Sequence, residues 1–193
     1  MEWLSRIVRK DLSECSHDNA EYLRTPETVL PCELAYGALQ VADSPVASHQ
    51  RAVVELTLAL VPFVRQRRLG EVLIAPMDVV LDRDNALVVQ PDLLFVAEQR
   101  RHIVEDRVYG GPDLVIEVLS PRTRIGRLDQ HLGWFSKYGV RECWLANLVS
   151  RQIAVLSLGA GGVTGQAVFS DAQPVRSQVL DDLEVSPLQI LGW

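Results

Sequence analysis

No apolar run in this chain is long enough to cross a membrane. The longest lies around Leu56–Val64 and is interrupted by Pro62, whereas a span needs about 20 residues. Cysteine is scarce. Cys15, Cys32 and Cys143 are odd in number and widely spaced, which reads as reduced cytosolic thiols and not as a disulfide framework or a zinc site. The first residues, MEWLSRIVRKD, carry charge where a signal peptide has its apolar core, so no signal peptide is expected and a cytoplasmic location is. An excess of basic charge is missing as well. The formal net charge is −6, which argues against a sequence-blind nucleic-acid coat but leaves room for a local basic patch. There is no Gly-rich phosphate loop between a strand and a helix, no GxSxG elbow and no HExxH pair. The glycines at 159–165 lack the strand–helix context of a dinucleotide fingerprint. No internal repeat, low-complexity tract or domain linker interrupts the chain.

What remains is the material of an ordinary folded domain. The 193 residues are 48% hydrophobic and 23% charged, enough to bury a substantial core. The stretch Gly110–Pro121, GGPDLVIEVLSP, stands at the centre of the reading. Leu114, Val115, Ile116, Val118 and Leu119 form an apolar run bounded by turn signals, the pattern of a strand buried on both faces. Glu117 breaks it. A carboxylate inside such a strand is costly unless its charge is compensated.

Around this strand the chain reads as a mixed sheet with helices packed on it. Trp3, Leu4, Ile7 and Val8 can make one face of a short N-terminal helix, and Pro26 and Pro31 bracket ETVL. CELAYGALQVAD suggests a hairpin turning at Tyr36-Gly37, with Glu33 on its first arm. Val53, Leu56, Leu60 and Phe63 recur at spacings of three and four, predicting a helix over 49–69. Ser48 is its expected N-cap and Gly70 its stop, with a kink or early end at Pro62. EVLIAP, DVVL and ALVVQPDLLFV then predict an antiparallel meander, with a turn at 83–85. Residues 97–109 form a charged connection. A second helix is expected over 123–138, strands over 142–147 and 151–158, and an edge strand over 166–169. The tail from Val179 to Leu191 is expected to be a short strand or extended segment.

Two carboxylates stand out as chemistry. Asp92 follows Pro91 within one predicted strand, and Glu117 lies in the middle of another. If those strands pair, both can reach one point and hold a hard cation such as magnesium or manganese. The ordinary alternative is that Asp92 caps a turn and Glu117 pairs with a buried arginine. Asp113 shares Glu117's face by alternation but reads as a turn or edge carboxylate. His49, at a helix start, is either an exposed first-turn residue or a site residue. His131 shares a helical face with Leu128 and Phe135 and, taken alone, reads as a packed histidine. His102 reads as solvated.

The order Glu33, His49, QPDLLFV, GGPDLVIEVLSPRT and GV-x-E-x-W resembles the Uma-type family of bacterial proteins described as "putative restriction endonucleases", of the PD-(D/E)XK nuclease superfamily. The resemblance runs from about Val29 to the C-terminus, so residues 1–28 would be an N-terminal extension and 29–193 a restriction-endonuclease-like domain. It implies an α/β fold of the α+β kind, a four-stranded mixed sheet flanked by helices, with additional β-strands. It implies a magnesium- or manganese-dependent endonuclease acting on DNA phosphodiesters. Asp92 and Glu117 would be metal ligands and catalytic residues, with the Val118 carbonyl as a third ligand. Glu33 and His49 match recurring positions and would line the same pocket. Where the family pattern has lysine after the acidic residue, this chain has Leu119. The family's displaced lysine falls at His131, and the acid four residues before it falls at Arg127. Lys137, Arg122 or Arg124 are the cations that geometry would have to bring in instead. A catalytically impaired binding or regulatory protein is therefore the alternative, and a metal-dependent hydrolase of a small phosphate compound a third. Double-strand cutting would suit a homodimer. No membrane partner is expected.

Overall fold

The computed structural model describes residues 22, 32–41, 44–120 and 125–193, the side chains of 125–127 excepted. The expected N-terminal helix, the ETVL segment, Arg122, Arg124 and the Arg127 side chain lie outside the described residues. Eleven strands and three α-helices follow one another among those described. They are β1 (Cys32–Ala35), β2 (Ala38–Val41), α1 (Ala47–Arg67), β3 (Gly70–Ile74), β4 (Val79–Asp82), β5 (Leu87–Val89) and β6 (Leu93–Ala97). A 3-10 helix (Glu98–Ile103), β7 (Val108–Tyr109), β8 (Leu114–Leu119) and α2 (Ile125–Lys137) come next. The chain closes with β9 (Glu142–Asn147), β10 (Gln152–Gly159), β11 (Gly162–Ser170) and α3 (Pro187–Leu191).

The strands make two sheets. The larger has the order β11-β10-β9-β8-β6-β3 and the smaller β2-β1-β5-β4-β7. In the larger sheet only β8 and β9 run parallel, and α2 makes the crossover between them. The result is a mixed sheet with helices packed on it and extra strands, as the sequence and its resemblance imply. The expected meander is corrected. ALVVQPDLLFV does not stay one strand: it splits at Gln90-Pro91-Asp92, sending β5 to the small sheet and β6 to the large one. Pro91 cannot donate to a ladder, so the strand breaks where it stands.

The large sheet is covered on both faces. Ala52, Leu56, Leu60 and Val64 of α1 pack against Leu93, Phe95, Leu114, Ile116 and Val118. On the other face Leu94, Val96, Val115 and Cys143 meet Val79, Leu87 and Val89 of the small sheet and Trp134 and Phe135 of α2. Alternation along β8 thus sends its even residues to α1 and its odd ones, Glu117 among them, towards the small sheet and α2.

Several local expectations change. Helix α1 begins at Ala47 with Val46 as N-cap and no side-chain cap bond, so Ser48 lies inside the helix. The helix runs through Pro62 without ending. Pro62 and Leu58, whose carbonyl loses its donor, are both exposed, on the solvent side of the helix, where water can take the donor's place. The left-handed cap is Arg68 at φ 55, not Gly70. Gly70 has another reason: a Cβ there would sit 2.0 Å from the Val96 carbonyl oxygen, in a backbone at φ 149. The tail also differs. It carries α3, started by Ser186, whose hydroxyl accepts from Gln189 N–H while Gln189 reaches back to the Ser186 N–H. The edge strand β11 is nine residues long, longer than expected.

Asp113 is a structural carboxylate. It is 2% exposed, lies 3.3 Å from Arg100 and 3.7 Å from Arg141, and accepts the Ala97 N–H at 2.9 Å. Just before it, Gly111 lets the entry to β8 lie against the end of α2, since a Cβ there would meet the Tyr138 carbonyl oxygen at 2.4 Å. Asp113→Ala removes the acceptor of a backbone N–H and two guanidinium partners, so it should destabilise the fold by about 1–3 kcal/mol, read as a lowered midpoint of urea unfolding. Hydrogen bonds from Tyr138 and Asn85 hold the Asp82 carboxyl below its ordinary value of 3.8, at about 2. That contribution is present above pH ~4 and is lost as the pH falls through the folded value. Asp82→Asn should therefore be less stable than wild type at neutral pH, with the gap closing towards pH 2.

Candidate active site

The β6–β8 register builds the site. Leu93 pairs with Ile116 and Leu94 with Val115, so one step further along each strand Asp92 comes opposite Glu117, and a second step brings Pro91 opposite Val118. The Val118 N–H donates to Asp92 Oδ2 at 2.7 Å. The carbonyls of Asp113 and Leu119 accept from Glu142 and Leu148, on the β9 side. By alternation the Val118 carbonyl points the other way, towards Pro91, which has no N–H to offer it. The proline thus breaks the strand and leaves a strand carbonyl beside two carboxylates.

Three further side chains enter from outside the large sheet. His49 stands in the first turn of α1 with Nε2 3.1 Å from Asp92 Oδ2. Its side chain is 13% exposed, so it is packed beside Asp92 and not solvated. His131 projects from α2 between two carboxylates. Its Nε2 is 3.2 Å from Glu33 Oε2 and its Nδ1 3.7 Å from Glu117 Oε1. Both are ion-pair contacts: among the described residues Nε2 makes no hydrogen bond despite its distance, and 3.7 Å is too long for one. Glu33, on β1, is buried, and its Oε1 accepts the Gln90 N–H at 3.0 Å. Gln90 is tied down in turn: its Nε2 donates to Asp78 at 2.8 Å and its Oε1 accepts the Cys32 N–H at 3.2 Å. Arg107 donates to the other Asp78 oxygen at 3.0 Å.

Glu33, His49, Asp92, Glu117 and His131 are therefore brought together from five different segments. Asp113 and its arginines sit apart from them, and His102 is exposed. Lys137 is exposed near the other end of α2, donating to the Tyr138 hydroxyl at 2.9 Å, so it does not replace His131. The alternative for Glu117, a buried arginine, finds no support among the described residues, where its charge partner is His131. Gln90 was not singled out from sequence. Its place directly before Pro91-Asp92 was the only signal available. A cavity of about 540 Å³ is lined by Arg65, Arg68, Gly70 and Arg101, among others. It lies at the far end of α1, about 24 Å from His49 at 1.5 Å per residue, and touches none of the five.

Crowded carboxylates define the electrostatics. Burial, with Asp92 and Glu33 nearby, pushes the Glu117 carboxyl up to about 7 against the pull of His131. Burial pulls His131 down, but Glu117 and Glu33 outweigh it and raise the imidazole to about 9. His49 is likewise disfavoured by burial yet raised overall by Asp92. A histidine between two carboxylates is thus held more basic than a free imidazole, which favours its positively charged form. Cys143, behind Glu117, has its thiol pushed well up by burial, so it is no nucleophile.

Among the described residues no three His, Cys, Asp or Glu side chains converge to cage a metal ion. The donors that the strand register and alternation bring near one another are oxygens: the carboxylates of Asp92 and Glu117 and the Val118 carbonyl. Glu117 Oε1 is buried without a hydrogen-bond partner. An all-oxygen set with an unsatisfied buried carboxylate oxygen fits a hard divalent cation.

Comparison with known proteins bears on the family and the fold. A family model described as "Putative restriction endonuclease", Uma2, matches residues 20–189. No curated protein matches the chain. Among solved structures, that of "a putative nuclease belonging to DUF820 from Anabaena variabilis ATCC 29413" superposes with a TM-score of 0.77 at 18% identity. The alignment covers 92% of this chain and 98% of that one. Likeness at this identity speaks for the fold, and the fold is the restriction-endonuclease-like one. Among the described residues no helix is long and apolar enough to cross a membrane. With its family model matched from residue 20 to residue 189, this chain belongs to the Uma2 family of restriction-endonuclease-like proteins.

Proposed function

We propose that the protein is a magnesium- or manganese-dependent endonuclease that hydrolyses DNA phosphodiester bonds. What supports this reading is the β6–β8 pairing, with the Val118 N–H donating to Asp92 Oδ2 next to Glu117 on β8. Asp92, Glu117 and the Val118 carbonyl would hold the cation. When bound, such an ion lowers the pKa of a water molecule and offsets the negative charge that develops on the phosphate. The protein's own groups do the rest. His49 and the Val118 N–H both hold Asp92 Oδ2, so Oδ1 would be the oxygen free to bind a cation. Glu33, fixed by the Gln90 N–H, orients His131. His131 orients the attacking water or protonates the leaving oxygen, the work that the family pattern gives to lysine.

A second reading is favoured by the same residue. If histidine cannot replace lysine, the protein is a catalytically impaired member that binds or regulates. The two readings differ in what His131 variants do. For the nuclease, His131→Gln should lower plasmid cleavage by about 100-fold while His131→Lys keeps it. For the impaired member, wild type is inactive and His131→Lys raises cleavage.

Metal binding is tested separately by calorimetric titration with magnesium and with manganese. Wild type should bind, and Asp92→Ala and Glu117→Ala should each abolish binding and lower cleavage at least about 100-fold. Absence of binding in wild type, or binding unchanged in both variants, sinks the reading.

A further inference from the structure

The β1–β2 hairpin turns at Tyr36 and Gly37, with φ of 52° and 87°. Two positive φ values in a two-residue loop are the signature of a type I′ turn, whose first position favours Asn, Asp or Gly. A tyrosine there is strained, since bulky residues avoid the left-handed region. The side chain gains little burial in return. Tyr36 is 52% exposed, although it is a large ring on a domain with ample core. A strained, half-exposed aromatic residue calls for a reason outside the fold.

Its surroundings supply one. The Tyr36 ring stands edge-on to Trp134 at 5.9 Å between centroids. Trp134 lies 5.3 Å from the ring of His131. A continuous row of rings therefore leads out of the candidate active site, with His131 and Trp134 buried and Tyr36 presenting itself to solvent. Lys137, one turn of α2 beyond Trp134, is exposed; its ammonium stands over the Tyr138 ring at 4.7 Å and is near enough to Tyr36 to interact with it electrostatically. An aromatic face next to a cation is the chemistry that holds a nucleotide: stacking for the base, charge for its phosphate. Two centroid steps of 5.9 and 5.3 Å put the Tyr36 ring at most about 11 Å from that of His131.

We infer that Tyr36 is a stacking platform for an unpaired base beside the scissile phosphate, and that the substrate class is single-stranded or locally unpaired DNA. The face of a base is available for stacking on a side chain only when it has left its own stack. This assignment rests on the nuclease reading, because the DNA strand is oriented by the site at His131. Lys137 contacts the backbone of the same strand and adds sequence-blind affinity.

The test uses the full-length protein and a single-stranded oligonucleotide carrying 2-aminopurine, with the fully paired duplex of the same sequence beside it. Wild type should bind the single strand more tightly than the duplex and quench the probe. Tyr36→Phe should do the same. Tyr36→Asn should bind the single strand about 10-fold more weakly, the loss expected of one stacked base, and leave the probe bright. Asparagine suits the turn, so the melting temperature of Tyr36→Asn should hold or rise; a merely structural tyrosine would lower it and leave binding intact. Lys137→Ala should flatten the salt dependence of binding. Unchanged binding and quenching in Tyr36→Asn, or preference for the duplex, overturns the stacking assignment while cleavage through Asp92 and Glu117 survives. Failure of every DNA form to bind overturns this inference and the nuclease reading together.

Discussion

Pro91 has no N–H to give to β8, and the carboxylate of Asp92 takes the Val118 N–H in place of a ladder partner. Most of the site follows from that substitution. The sheet keeps its register through Leu93 and Ile116, yet at the next step it ends in side-chain chemistry and a bare carbonyl. Glu117 faces Asp92 because the strands are antiparallel. It faces the small sheet because alternation gives it the parity of Val115. A one-residue slip would turn Glu117 towards α1 and put its charge into the apolar layer of Leu56 and Leu60. The dense packing on both faces of β8 therefore does more than hold the fold. It fixes where the carboxylates meet.

The small sheet and the two long helices supply the ring around that pair. Helix α1 lies across the large sheet with its buried stripe and so carries His49 to Asp92. Helix α2 crosses between β8 and β9 and so carries His131 to Glu117. Glu33 arrives on β1, which is held against β5, and β5 is tied to β6 by only the three residues of the broken strand. The Gln90 backbone and side chain brace Glu33 and Asp78 at once. Charges of the same sign kept this close are tolerated because two imidazoles intervene and because rigid elements leave the carboxylates nowhere to go. That arrangement is unfavourable in itself and suits a site whose charge is balanced by a cation.

Much of this was readable in advance, and the reasons are specific. The apolar run of β8, the i, i+3, i+4 stripe of α1 and the Tyr36-Gly37 hairpin each follow from local periodicity or turn chemistry. Asp92 and Glu117 were conspicuous because carboxylates inside apolar strands are costly. The misses were also local in cause. One strand was expected across Gln90-Pro91-Asp92 because apolar periodicity continues on both sides, although the proline cannot. Gly70 looked like a helix stop, but its contact is with the Val96 carbonyl of a strand more than twenty residues away. The tail looked extended because α3 is only five residues long, too short to show a helical period, although Ser186 and Gln189 carried its capping signature.

By itself the sequence determined which segments are strands and helices, which two carboxylates are out of place in the core, and that a histidine stands where the family pattern has lysine. These depend on side-chain period, burial cost and residue identity, all of which are local. Only the tertiary structure decided that β5 and β6 belong to different sheets, that the Val118 carbonyl is left without a ladder donor, and that His131 lies between Glu33 and Glu117. That last placement decided the state of the imidazole as well. Its charge is set by two carboxylates from distant segments, and no local pattern records a distance across the fold.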